Sequence, residues 1–204
     1  MGAALACCGK VGHLGVTAED IAGRCGMSLS TFYRYFVGVE ECLEQAYEEQ
    51  VMGLLQQPLM PTENATAQLA QALERLAAFI VEDPLRARAV LVEARLAAGP
   101  PFQRRQQFLA RLSAWLDALC RPEAGRRPPA VAATFLVGGI EQLAIQALSR
   151  NRPHKFADDI PGLVFLIAST YGMSAAGVGG PEVAGDPKRP AQPNAEGFST
   201  LPKA

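Results

Sequence analysis

Apolar residues recur three and four positions apart through almost the whole chain, and no run alternates with period two for more than a few residues. That spacing places apolar side chains along one stripe of a helix, so an all-α fold is expected. Cys42, Leu43, Ala46, Tyr47 and Val51 form one such stripe, and Pro58 and Pro61 end it. Leu69, Leu73, Leu76 and Ile80 form the next. Asp83-Pro84 is a helix start: the Asp side chain accepts orphan N–H groups, and Pro at the first helical position forfeits no bond. That helix is expected to stop at Gly99-Pro100-Pro101, and a further stripe through Phe108, Leu112, Trp115 and Leu116 to break over residues 121–129. The last two segments, about 130–149 and 157–173, are apolar around most of their circumference and need cover on several sides. A second copy of the chain related by a two-fold axis can supply part of it.

At 204 residues, 49% hydrophobic and 19% charged, the chain suits one main core with at most a small appended module. A formal charge of −1 excludes a bulk electrostatic partner, so any attraction must be local. Five cysteines, Cys7, Cys8, Cys25, Cys42 and Cys120, are odd in number and make no Cys-x-x-Cys or Cys/His ligand set. They fit reduced thiols of a cytoplasmic protein packed as small apolar groups. No charged-then-apolar leader opens the sequence, and the most apolar stretch carries Glu141 and Gln142 near its middle, so neither export nor a membrane span is expected. From Ser174 on, five Gly and five Pro fall among 31 residues with few large apolar side chains, and a disordered tail is expected there.

The most specific local signal lies near the N-terminus. Thr17, followed by Glu19 and Asp20, reads as a capping box opening a short helix through Ile21, Ala22 and Cys25. Gly26 can adopt the left-handed conformation that ends it. Ser28 then caps a second short helix, 29–36. Two short helices joined by a tight Gly-containing turn make a helix-turn-helix when small and apolar residues meet at the crossing. Ala22 is small enough, while Ile21, Cys25, Met27, Phe32 and Tyr35 are spaced to fill the wedge. Leu29, Ser30, Thr31 and Arg34 are not needed there and can face bases or phosphates.

The stretch TAEDIAGRCGMSLSTFYRYF from Thr17 to Phe36, followed by Glu40-Glu41-Cys42-Leu43, resembles the DNA-binding domain of TetR-family transcriptional regulators. The resemblance covers about the first 50 residues, and its most specific part is Gly26-x-Ser28-x-x-Thr31-x-Tyr33-x-Tyr35-Phe36. It implies a homodimer on double-stranded DNA, with the second short helix of each copy in the major groove of half-sites about 34–36 Å apart or a multiple of that. Thr17, Ser28, Leu29, Ser30, Thr31, Tyr33, Arg34 and Tyr35 are the implied DNA-binding residues, with Thr17 and Tyr33 on backbone phosphate. Three domains follow: 1–45 reading DNA, 46–173 binding ligand and dimerising, and the tail 174–204.

The resemblance also implies a small-molecule effector inside the C-terminal helices, whose occupancy moves the linking helix and with it the reading heads. Phe79, Phe108, Trp115, Phe135 and Gln142 are the candidate lining residues. Repression is the usual outcome. The resemblance places Met1 part-way into the first helix, and Val39 stands where a Lys is common. Residues 1–50 carry three bases against seven acids, a local charge of −4. An alternative is therefore a dimeric helical ligand-sensing or protein-interaction module with a weakened DNA-reading head. An enzyme is disfavoured, because no nucleophile–base set, metal ligand cluster or cofactor loop is visible, Gly177 to Gly180 following no strand. His13 and His154 have no metal-ligand companions, and the arginines at 86, 88, 95, 104, 105 and 111 are expected on solvated faces.

Overall fold

The computed structural model describes residues 1–56, 64–96, 100–120 and 128–173. The breaks at Pro58 and Pro61, most of the 121–129 segment and the tail 174–204 lie outside the described residues. Among those described, every regular element is helical. The order is α1 (Gly2–Val11), α2 (Ala18–Cys25), α3 (Leu29–Tyr35), α4 (Val39–Gln56), α5 (Ala65–Glu82), α6 (Pro84–Arg88), a π-helical turn (Ala89–Glu93), α7 (Ala94–Leu96), α8 (Pro100–Cys120), α9 (Ala132–Ser149) and α10 (His154–Tyr171).

The N-terminal signals act as their chemistry dictates. Thr17 Oγ1 accepts the Asp20 N–H at 3.1 Å, and the Asp20 carboxylate accepts the Thr17 N–H at 3.0 Å, closing the capping box. Gly26 ends α2 at φ 64°, a left-handed conformation that a Cβ strains. Ser28 Oγ accepts the Thr31 N–H at 3.1 Å to start α3. The hydroxyl and the backbone N–H of Thr17 together hold the Asp20 carboxyl below its usual range. A depressed carboxyl stabilises the fold above its unfolded pKa, near 3.9, and loses that contribution as pH falls through the folded value. Thr17→Ala removes this cap and is expected to lower stability at neutral pH. The deficit should shrink below about pH 4, as denaturant unfolding at several pH values will show.

Burial corrects the expected wedge. Ile21, Ala22 and Phe32 are buried and Met27 is half-buried, but Cys25 is exposed and Tyr35 is 69% exposed. Each is the last residue of its short helix, about a turn beyond the buried residues at the crossing. The void they leave is filled from behind by α1, whose Ala4, Leu5 and Cys8 join one connected apolar cluster running through α4, α5, α8 and α9 to Tyr171. The N-terminal and C-terminal helices share that core, and α4 crosses residue 45 without interruption. Burial pushes the Cys8 thiol up to about 12 and the Cys42 thiol to about 11, so both stay protonated packing groups.

The last helix departs from its expected bounds. α10 starts at His154, three residues early, because Pro153 takes the N-cap position, and it keeps Pro161 inside. Its inner face of Phe156, Ile160, Leu163, Val164 and Ile167 packs on α5 and α9. α9, Ala132–Ser149, is among the described residues the one helix long and apolar enough to cross a bilayer. Its Glu141 nevertheless points inward to an arginine. The outer faces of this pair carry Val131 (64% exposed), Phe135 (75%), Phe165 (47%) and Leu166 (51%).

Candidate nucleic-acid interface and effector cavity

α3 is held by a single buried ring. Phe32 is fully buried, and Tyr33 meets it edge-on with ring centroids 5.3 Å apart. Anchored on that side, α3 turns its other side outward. Ser28, Leu29, Ser30, Tyr33, Arg34 and Tyr35 are exposed around α3 and its N-cap. Thr31 is half-buried, with its hydroxyl 2.9 Å from Ser28 Oγ. Thr17 is exposed, but its hydroxyl proton goes to the Asp20 carboxylate at 2.7 Å, which leaves it no proton to give a phosphate. Between Ile21 and Val39 the charged side chains are Arg24 and Arg34, both exposed, so the surface is locally basic although the segment around it is acidic.

Behind the head, α4, α5, the π turn, α8 and α9 enclose an apolar cavity of about 440 Å³. Phe79, Phe108 and Trp115 line it, as expected. Phe135 and Gln142 do not. The α9 residues on the cavity are Val137, Ile140 and Glu141, and a helix places 135 and 142 away from that face. Phe135 points outward, and Gln142 accepts a hydrogen bond from Arg95 Nη1 at 3.3 Å. Sequence periodicity tells which residues share a stripe but not towards which neighbour the stripe turns.

Glu141 could be expected to pair with a cation if buried, but which cation completes the polar end of the cavity was not visible in the sequence. Arg105 is buried and grips Glu141 with two nitrogens: Nε donates to Oε1 at 3.0 Å, and Nη2 donates to Oε1 at 2.7 Å and to Oε2 at 2.5 Å. Arg105 is thus no solvated face. Its neighbour Arg104 pairs with Glu44 at 3.1 Å and Glu48 at 2.8 Å, so successive residues of α8 hold α9 and α4. The one available signal was a Glu alone in the apolar run of α9, which needs a partner.

The cavity reaches the head through the π turn. Val90 and Leu91 line the cavity, while Glu93, two residues on, accepts the His13 backbone N–H at 3.1 Å in the α1–α2 loop. Arg88 Nε lies 3.4 Å from the other oxygen of Glu93. α1 itself packs so closely on α6 that Gly9 has no room for a side chain.

Residues 1–46 match the family described as bacterial regulatory proteins, tetR family. The N-terminal helix-turn-helix is thus similar to the TetR-family domain. The fold of the rest agrees with solved transcriptional regulators. FadR from Bacillus subtilis, in complex with stearoyl-CoA, is similar with a TM-score of 0.69 at 16% identity over 83% of this chain and 96% of that one. FadR from Bacillus halodurans gives 0.68 at 15% identity over 81% and 94%. SCO3833 from Streptomyces coelicolor A3, a member of the TetR transcriptional regulator family, gives 0.51 at 17% identity over 81% and 87%. No curated protein sequence matches the chain. These likenesses extend over four fifths of the chain and concern its fold: a helix-turn-helix at the N-terminus followed by a helical body.

Proposed function

We propose that the protein is a ligand-responsive transcriptional repressor that binds a pseudo-palindromic operator as a homodimer. Ser28, Leu29, Ser30, Thr31, Tyr33, Arg34 and Tyr35 form the DNA-binding surface, with Thr17 beside it at the N-terminus of α2. The exposed apolar faces of α9 and α10 pair with those of a second copy, giving the two heads a fixed separation. The observation that carries the reading is that one π turn serves both sites: Val90 and Leu91 face the cavity, and Glu93 holds the loop entering α2. A π turn carries an extra residue per turn, so a ligand that shifts its register swings Glu93 away from His13. For such a ligand to release DNA it must bind the shifted state more tightly. The cavity's apolar walls, together with the stearoyl-CoA on the similar FadR, support an effector with a long apolar portion.

A dimeric ligand-sensing module with a weakened reading head is supported by the charge of −4 over residues 1–50 and by the engaged Thr17 hydroxyl. A gel-shift titration of the full chain against the DNA upstream of its own gene, at two salt concentrations, separates the two. Saturable, sequence-dependent retention is expected, with a shallow salt dependence because few cations face the phosphates. Tyr33→Phe and Arg34→Ala, at exposed positions, should each weaken it about fivefold or more. A chain that sediments as a dimer yet shifts no DNA at low salt supports the second reading and ends the first.

A further inference from the structure

The cavity wall holds two polar atoms that the fold itself leaves unused. Arg105 is 6% exposed and spends Nε and Nη2 on Glu141, while its Nη1 has no hydrogen-bond partner among the described residues. Tyr47, 4% exposed, lines the same cavity from α4, and its hydroxyl likewise has no partner among the described residues. Among the described residues no polar side-chain atom is sealed in the interior without a partner, so both retain accessible surface, and both residues line the cavity. Burial raises the Tyr47 hydroxyl well above its ordinary range, which keeps it a neutral donor. The hydrogens free to be donated at this end of the cavity are thus the two of Arg105 Nη1 and the one of the Tyr47 hydroxyl, while both Glu141 oxygens already accept from Arg105.

We propose that the effector is an uncharged amphiphile whose carbonyl oxygen, as in an ester, thioester or ketone, accepts hydrogen bonds from Arg105 Nη1 and Tyr47 Oη while its chain fills the apolar remainder. This rests on the effector-cavity reading above and names its ligand class. A carbonyl oxygen has two lone pairs for two donors. A carboxylate could take the same bonds, but Glu141 already neutralises Arg105, so a second anion would leave an uncompensated charge among apolar walls. A cation would be repelled by the Arg105 guanidinium, and the Glu141 carboxylate that could pair with it is already engaged by Arg105. The volume of about 440 Å³ suits roughly fifteen non-hydrogen atoms at about 30 Å³ each.

Trp115, the sole tryptophan, lines the cavity and reports occupancy by fluorescence. The full chain is titrated with methyl decanoate, decyl methyl ether, decanoate and decyltrimethylammonium. Methyl decanoate is expected to bind about tenfold more tightly than the ether, and decanoate and the ammonium at least about tenfold more weakly than the ester. Tyr47→Phe should weaken the ester about threefold to tenfold and leave the ether unchanged. Should that variant not fold, the ester-to-ether ratio in the unaltered chain decides alone. Tighter binding of decanoate or of the ammonium, or equal binding of ester and ether, overturns the carbonyl site while leaving the effector cavity standing. Failure of every probe to bind overturns both.

Discussion

Gly9→Ala is expected to destabilise the protein by about 3 kcal/mol, at the upper end for overpacking, even though the same change in an open helix is stabilising. A Cβ built on Gly9 falls 1.9 Å from the Leu85 carbonyl oxygen, 2.7 Å from its carbon and 3.1 Å from its Cα. All three atoms are backbone, so no side-chain rotation relieves the clash, and α1 and α6 must move apart. That separation opens contacts of Leu5 and Cys8 with the shared core and tilts the α1–α2 loop away from Glu93. Helix propensity pulls the other way by about 1 kcal/mol, the gain of Ala over Gly, and it loses to the steric term. Gly23→Ala is the control: it lies in exposed α2 with nothing within 4 Å of its Cβ position, so propensity alone remains and stability should rise by about 0.5–1 kcal/mol. Urea unfolding of the two variants should therefore move the midpoint in opposite directions at unchanged slope. A Gly9→Ala protein as stable as the parent would show that α1 does not sit on α6 as described, and the path from the π turn to the head would go with it.

What could be read from the residues divides along a physical line. Local backbone chemistry was legible: the Thr17–Asp20 box, the left-handed Gly26, the Ser28 cap and the Asp83-Pro84 start each depend on neighbours within four residues. Element type was legible too, since a period near 3.6 excludes strands. Azimuth was not. Cys25 and Tyr35 belong to the right stripes but turn outward, and Phe135 and Gln142 lie on the right helix but not on its cavity face, because the direction a stripe takes is decided by partners far away in the chain. The π turn was hidden for the same reason. Residues 89–93 read as ordinary helix, no breaker in the sequence marks the π turn, and it lies between α1 and the cavity. The exposed surface of α3 was the part of the candidate site best expressed in sequence, and the buried Arg105–Glu141 end of the cavity the part least expressed.

Arg105→Met should cost about 3–5 kcal/mol, whereas Arg105→Met combined with Glu141→Met should come within about 1 kcal/mol of the parent. The side chains are 7% and 11% exposed, so water cannot compensate a lone charge at this depth. Removing the guanidinium strips the Glu141 carboxylate of three hydrogen bonds and leaves it facing Val137, Ile140 and the aromatic walls. Removing both charges replaces the pair by apolar groups in an already apolar cavity, where the desolvation cost of the ions disappears along with their attraction. A double-mutant cycle by denaturant unfolding therefore gives a coupling energy of several kcal/mol, large beside the 0–1 kcal/mol of an exposed pair. Arg104→Met supplies that comparison one residue away. Arg104 is 39% exposed and its partners 26% and 49%, so its loss should cost no more than about 1 kcal/mol despite holding two carboxylates. If the Arg105 and Arg104 variants proved equally mild, the cavity's polar end would be wet, and a neutral carbonyl would have no advantage there over a carboxylate. If the double variant kept its stability but bound ester and ether alike, the pair would be retained for recognition at little gain to folding, the role a costly buried charge most readily justifies.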